Sequence, residues 1–160
     1  MKKIIFALVG AMLLLNGCAS DSAKTASDTM RTILRNDQDY YLIETEKQLT
    51  SIGEKYPLSG NYLLDRDITL TKEWKSLGSA KEPFTGIFDG NGYTIYNLTV
   101  TRRKANMSFF GAAEGAVIKD LVLEDAHILE DSRINLGSGF AIVGSAVDSE
   151  ITECSVSQSK

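Results

Sequence analysis

The stretch IKDLVL at residues 118–123 recurs in pattern twice, as IYNLTV at residues 95–100 and as ITECSV at residues 151–156. Each copy reads isoleucine, two variable residues, an apolar residue, one variable residue and an aliphatic residue. The last two copies share a further feature, because Gly111 and Gly144 each stand seven positions before the isoleucine. Two features that coincide at one offset indicate an internal repeat, and such repeats predict stacked structural units.

The spacing of the copies predicts how the units stack. Their isoleucines, Ile95, Ile118 and Ile151, are separated by 23 and 33 residues, close to the coil lengths of solenoid proteins. The polar insert at residues 130–135 accounts for the longer second spacing. No amphipathic stretch of roughly 10–15 residues, which a βαβ unit needs, lies between the copies. We therefore expect a mostly β fold built from stacked coils.

Several stretches resemble the GLUG-motif coils of bacterial surface proteins. The match is carried by WKSLG at residues 74–78 and FTGIFDGNGYTIYNL at residues 84–98, with degenerate copies of the motif at 108–111 and 141–144. The resemblance covers residues 41–160 and implies a right-handed parallel β-helix. That fold occurs in adhesins, in carbohydrate-active enzymes and beside the catalytic domain of immunoglobulin-A-cleaving metalloproteases, so the motif specifies a fold better than a function.

The N-terminus has the organisation of a bacterial export signal. Two lysines precede an apolar run, residues 4–15, that is too short to cross a hydrocarbon core of roughly 30 Å. The sequence LNGC at residues 15–18 resembles the lipobox of bacterial lipoproteins, in which the cysteine is acylated and becomes the first mature residue. The resemblance implies a cleaved signal peptide over residues 1–17 and lipidation of Cys18. An ordinary secretory signal beside a chance cysteine is the alternative.

The residue after the cysteine influences sorting in that family. Ala19 stands there instead of the aspartate that retains lipoproteins in the inner membrane of two-membrane bacteria. The resemblance therefore implies an outer-membrane lipoprotein facing the periplasm or the cell surface, or a cell-membrane protein if the bacterium has one membrane. Each buried CH₂ of an acyl chain contributes about 0.8 kcal/mol, so several chains would make the membrane a stable partner.

Composition divides the remaining chain into two parts. Residues 18–38 are rich in Ser, Ala, Thr, Lys and Asp, which predicts a lipid anchor followed by a flexible tether. Residues 39–160 are expected to form the β-helix domain. Near its start, Thr45 stands three positions before Gln48, a capping-box spacing that predicts a short helix over residues 46–55.

Charge and cysteine content exclude some classes of protein. Loss of the signal peptide leaves 15 of the 17 basic residues against 21 acidic ones, a charge of about −6 that argues against nucleic acid as a partner. If Cys18 is acylated, Cys154 has no intramolecular partner, so we expect no disulfide framework. Stability must then come from packing.

The polar cluster DGNG at residues 89–92 has two interpretations. Asp89 and Asn91 offer oxygen ligands of the kind that calcium takes, which makes them a weak cation-site candidate. A tight turn is the favoured interpretation, because glycines at positions 90 and 92 permit positive φ and an EF-hand loop would carry further acids. We expect no metal and no cofactor.

Catalytic interpretations have little support in the sequence. Paired carboxylates could serve a glycosidase or lyase, but an enzyme of this fold needs more coils to build a sugar-length groove. His127 is the only histidine, which argues against a zinc site or a catalytic triad. We therefore expect no catalytic residues and no enzyme activity. The acidic groups considered are Asp65 with Asp67, Asp120 with Glu124 and Asp125, and Glu130 with Asp131.

The remaining candidates are surface-contact residues. Tyr96 occupies an outward position of its repeat, and the basic cluster Arg102, Arg103 and Lys104 follows soon after it. We interpret the chain as a non-enzymatic binding or adhesion module for a protein or glycan partner. The alternatives are a remnant or accessory of a polysaccharide-active β-helix enzyme, and a structural subunit that docks, or self-associates, through its C-terminal coil.

Overall fold

Short β-strands dominate the computed structural model, which describes residues 28–101, 108–129 and 141–158. The predicted mostly β class with one short N-terminal helix is confirmed for this part of the chain. The elements are β1 Thr32–Arg35, β2 Gln38–Ile43, α1 Glu46–Thr50, β3 Tyr62–Leu64, β4 Ile68–Thr69, β5 Ile87–Asp89, β6 Thr94–Tyr96, β7 Thr99–Thr101, β8 Ser108–Phe110, β9 Ala113–Glu114, β10 Val117–Lys119, β11 Val122–Leu129, β12 Ala141–Val143, β13 Ala146–Val147, β14 Glu150–Thr152 and β15 Ser155–Gln158.

The strands form two larger sheets and two strand pairs. Sheet I has the order β1-β2-β3-β5-β10-β14, and sheet II has the order β15-β11-β6-β4, with β7 also pairing β11. The small pairs are β8 with β12 and β9 with β13. Every pair is parallel except β1 with β2, so sheet I is mixed.

The register of the sheets corrects part of the predicted repeat. Ile118 pairs with Ile151, as the repeat predicts, but its partner in the preceding strand is Phe88. Ile95 instead pairs with Leu123 in sheet II. The predicted equivalence of Ile95 and Ile118 is therefore wrong. Phe88 and Ile95 are seven residues apart, whereas Ile118 and Leu123 are five apart, because the DGNG turn adds two residues between β5 and β6.

Side chains on the inner faces of the sheets form one core. Aromatic rings are prominent in it: Phe88 packs edge-on against Phe109 and Phe110, and Trp74 stacks on Phe109 at 4.6 Å between ring centroids. The indole N–H of Trp74 also donates to the Phe109 carbonyl at 3.0 Å. Fully buried members of the core are Ile43, Leu49, Tyr62, Leu64, Phe84, Phe88, Ile95, Leu98, Phe109, Phe110, Ile118, Leu121 and Leu123.

Helix α1 begins where the capping pattern predicts and ends earlier than expected. The Thr45 side chain accepts a hydrogen bond from the Gln48 amide, and the side chain of Leu49 in the helix is fully buried. Gln48 does not complete a capping box, because its side-chain oxygen accepts from the amide of Glu44 at 2.7 Å. The helix stops at Thr50, since the chain turns back on itself through Gly53 at φ 83°.

The N-terminal segment departs from the predicted tether. Residues 28–38 belong to the folded domain, because β1 pairs antiparallel with β2 and Met30 is buried in the core. Asn36 and Asp37, with φ of 52° and 60°, form the hairpin turn between these strands. The assignment of a flexible tether through residue 38 is therefore wrong for this segment. The rest of the predicted anchor and tether, Cys18 included, lies outside the described residues.

Among the described residues no helix is long and apolar enough to span a bilayer.

Candidate functional site

The outer face of sheet II carries Tyr96. Ile95 is fully buried, and strand alternation places its neighbours Thr94 and Tyr96 on the opposite side of the sheet. Tyr96 lies in register between Thr69 of β4 and Glu124 of β11. Tyr96 is half-buried, whereas Thr69 and Glu124 are exposed.

A second outward row lies beside the first. Thr94 of β6 pairs with Val122 of β11, which pairs with Ser155 of β15. We call the surface made by the two rows the sheet II face; its residues are Thr69, Thr94, Tyr96, Val122, Glu124 and Ser155. One aromatic ring surrounded by hydroxyl groups and a carboxylate can contact a sugar or an extended polymer both by packing and by hydrogen bonding.

Residues with positive φ form corners at the edge of the sheet II face. Asn97 and Asp125 follow the paired residues Tyr96 and Glu124, and both have positive φ, 60° and 54°. The Asn97 amide donates to the Glu124 carbonyl at 3.0 Å, which ties the two corners together. At the other edge the Asp67 carboxylate accepts from the Thr94 amide at 2.8 Å.

Three basic residues are predicted to lie near Tyr96. Arg102, Arg103 and Lys104 directly follow β7 in the chain and lie outside the described residues. Their contribution to a surface around Tyr96 therefore stays a prediction.

Asp89 and Asn91 lie together in a capped turn. The Asn91 amide donates to Asp89 Oδ1 at 2.8 Å, and the Asn91 side chain donates to the Leu64 carbonyl at 3.1 Å. Asp89 Oδ2 lies 3.0 Å from Lys119 Nζ and 3.3 Å from Arg35 Nη1. Two side-chain cations beside the carboxylate oppose the binding of a metal ion there.

The ion pair also affects the lysine. The hydrogen bond that Lys119 donates to Asp89 raises the pKa of the Lys119 ammonium, and partial burial opposes this rise only in part. The Asp89 side chain is 2% exposed, so the two basic side chains rather than water lie beside its carboxylate.

A second buried carboxylate, Glu44, has a similar environment. Its Oε1 lies 3.0 Å from Arg31 Nη2 and 3.4 Å from Arg66 Nη2, and Arg31 also reaches Asp65 at 3.4 Å. The hydrogen bond to Glu44 raises the pKa of Arg31 further above its ordinary value. Sequence reasoning missed these arginines and Arg35. The signal that could have found Arg31 and Arg35 was the Asn-Asp turn between two β-prone runs, which is typical of a hairpin.

The other predicted acidic groups are dispersed in the described structure. Asp120 and Asp125 are corner residues with positive φ, on opposite sides of the β11 start, and Asp65 pairs with Arg31. His127 is exposed on β11 opposite Thr99. Glu130 and Asp131 lie outside the described residues. The described part of the chain contains no group of three or more His, Cys, Asp or Glu side chains placed to hold a metal ion.

A cleft of about 420 Å³ lies beside the N-terminal end of the core. Trp74 and Leu77 form its floor, and Lys75 pairs with Glu54 across it at 3.6 Å. Three glutamates and two lysines line the cleft, so it presents little net charge to a ligand. We therefore regard the sheet II face as the better candidate site.

Comparison with known proteins gives one informative similarity. The chain is similar to halomucin from Haloquadratum walsbyi (strain DSM 16790 / HBSQ001), with 31% identity over 120 residues. The match covers 63% of this chain and 1% of halomucin, so the chain spans a very small part of that protein's length. No protein-family model and no solved structure matches the chain.

Proposed function

We propose that this chain is a surface or periplasmic lipoprotein whose folded part, a short right-handed parallel β-helix, binds a protein or glycan without catalysing a reaction. The order of strands supports the β-helix. After β5 in sheet I the chain enters sheet II at β6, passes through β8 and β9, and returns to sheet I at β10. The next circuit, β11 to β14, follows the same order in register with the one before it.

The observation that carries the binding function is the position of Tyr96 on the sheet II face. The aromatic ring has Thr69 and Glu124 in register on either side of it, on strands whose inner residues are fixed by the core. A rigid scaffold loses little conformational entropy when it binds an extended ligand. This favours recognition by the sheet face rather than by a mobile loop.

The surface setting rests on the N-terminal sequence. The signal and lipobox resemblance at Cys18 supports acylation and membrane attachment. The similarity to a protein named as a mucin agrees with a place at the cell surface, although the part of halomucin that matches is too small to carry over its function.

The rival hypothesis, an accessory or remnant of a polysaccharide-active enzyme, requires carboxylates that converge on one open face. Glu44 and Asp89, the buried carboxylates of the described residues, are each held by basic side chains. An assay for new reducing ends and unsaturated products on common polysaccharides separates the two hypotheses, because the proposed binding module releases neither.

The binding function is tested with the full-length protein, extracted from membranes in detergent, on an array of bacterial polysaccharides. We expect the native chain to bind at least one of them and Tyr96→Ala to weaken that binding about tenfold, since loss of an anchoring aromatic ring costs at least about 1.4 kcal/mol. Leu34→Ala is the matched control, because Leu34 is 69% exposed on β1, away from sheet II. Equal loss in both variants, or no binding to any polysaccharide on the array, would contradict a glycan-binding sheet II face.

A further inference from the structure

Strands β14 and β15 form an end layer whose apolar residues are less buried than their partners in the layer beneath. Ile151 is 40% exposed, whereas Ile118, directly below it in sheet I, is fully buried. In sheet II, Val156 is half-buried above the fully buried Leu123. Apolar residues at the inward positions of this layer therefore present part of their surface to the outside.

The backbone of the end layer is also open on one side. In the described structure β14 pairs with β10 alone and β15 pairs with β11 alone, so each is the last strand of its sheet. Amide and carbonyl groups on the far side of an edge strand are free to pair with another extended chain. An apolar layer with free backbone groups therefore has the features of a site for strand addition.

The charged side chains within residues 141–158 are of one sign. Residues 141–158 contain Asp148, Glu150 and Glu153, all exposed, and no lysine or arginine. Within the described residues no basic side chain forms a salt bridge with any of these three. An added strand would therefore meet an acidic rim around an apolar centre.

The proximity of acidic side chains affects the pKa of Glu153. A hydrogen bond with Asp120 in the layer below, and repulsion between the two carboxylates, raise the pKa of Glu153, with Lys119 only partly opposing the rise. A cation placed beside Glu153 would relieve this repulsion.

We propose that the β14–β15 edge is a docking site for an extended strand of a partner polypeptide in which basic residues alternate with apolar ones. An apolar side chain of the added strand stacks on Ile151, and its neighbours, which point outward, lie beside Glu150 and near Glu153. A second copy of this chain fits poorly, because two like edges would bring two acidic rims together. The proposal rests on the strand stacking of the proposed β-helix but not on the sheet II face.

The test uses two synthetic octapeptides, one alternating lysine with valine and one alternating glutamate with valine. Binding to the full-length protein in detergent is measured by fluorescence anisotropy. We expect the lysine peptide to bind, with affinity that falls as salt increases, and the glutamate peptide to bind at least about tenfold more weakly. Reversal of both rim charges, Glu150→Lys with Glu153→Lys, should invert that preference.

Two controls separate this site from other surfaces. Ile151→Ser should weaken binding of the lysine peptide about tenfold, because it removes the apolar contact. Glu124→Lys, an exposed reversal on the sheet II face, should leave the lysine peptide unaffected while it tests the separate polysaccharide site. Circular dichroism checks that each variant keeps its strands. Equal affinity for both peptides, no effect of the double reversal, or a stable dimer of the native chain in light scattering would each overturn the proposal.

Discussion

Lys119 Nζ lies 3.0 Å from Asp89 Oδ2, and the two residues stand opposite each other in register on the parallel strands β10 and β5. Arg35, from the N-terminal hairpin, reaches the same carboxylate oxygen at 3.3 Å. A single buried carboxylate thus connects two successive strands of sheet I with the hairpin at its edge. Through these ion pairs Asp89 links segments that are far apart in the sequence.

Removal of one of the two cations beside Asp89 should destabilise the protein. We expect Lys119→Ala to lower the free energy of unfolding by about 1–2 kcal/mol, because Asp89 is left buried with one cation, while Lys119 itself is partly solvated. Lys81→Ala, at an exposed lysine without a described ion pair, should change stability by less than about 0.5 kcal/mol. Urea titration measures both. The double variant Lys119→Ala with Arg35→Ala should cost more than the sum of the single changes, and simple additivity would contradict the shared-carboxylate arrangement.

Glu46 should contribute to the dependence of stability on pH. Burial opposes ionisation of Glu46, but hydrogen bonds from the Thr71 hydroxyl, the Thr71 amide and the Lys72 amide outweigh it and lower the Glu46 pKa below 4.5. Because the native state binds the proton less readily than the unfolded state, this stabilisation is present above pH 4.5 and is lost as pH falls through the lower native pKa.

The variant Glu46→Gln tests that contribution. At neutral pH we expect it to be less stable than the native chain by about 1 kcal/mol, since the charged acceptor is lost at a partly exposed site. The difference should shrink as pH falls below 4.5, because the native chain then loses the same interaction. Urea titrations at a series of pH values measure this, with Glu124→Gln as the exposed control. A difference that stays constant over the whole range would show that ionised Glu46 is not responsible.

Two glycines of the DGNG turn should respond differently to alanine. A Cβ at Gly90 would lie 1.9 Å from the Asp120 carbonyl oxygen, so the segments that follow β5 and β10 would have to separate. At Gly92 nothing lies within 4 Å, and only the positive φ of 78° opposes a side chain. We expect Gly90→Ala to cost about 3 kcal/mol and Gly92→Ala about 1 kcal/mol in thermal or urea unfolding. A larger cost at Gly92 would mean that the turn conformation, rather than close contact with the Asp120 carbonyl, requires glycine here.

The proposed acylation of Cys18 can be tested through processing and membrane attachment. We expect the mature protein to lack residues 1–17, to carry acyl chains on Cys18 and to fractionate with membranes. Cys18→Ser should move it to the soluble fraction, because the apolar contribution of the acyl chains is lost. Intact-mass spectrometry and membrane fractionation measure these outcomes, and an unmodified mature N-terminus beyond Cys18 would contradict the lipoprotein assignment. Cys154→Ser is the matched control and should leave fractionation unchanged.

Local patterns in the sequence determined several features of this protein. The repeat of Ile118 and Ile151 with its preceding glycines indicated stacked β units, and those two residues are partners in sheet I. The Thr45 spacing located the start of α1, and strand alternation placed Tyr96 on the outside of its sheet. These features depend on residues a few positions apart, whose geometry follows from backbone periodicity and capping alone.

Tertiary structure alone decided the rest. The register that pairs Ile95 with Leu123 depends on how two extra turn residues are accommodated against the segment that follows β10, where Gly90 meets the Asp120 carbonyl. The place of the hairpin depends on Arg35 reaching Asp89, 54 positions away in the chain. The hairpin segment is polar in composition, which predicted a flexible tether. A short polar segment becomes ordered, however, when burial and ion pairs with distant residues outweigh the conformational entropy that it loses. Those contacts exist only after the strands of sheet I have paired.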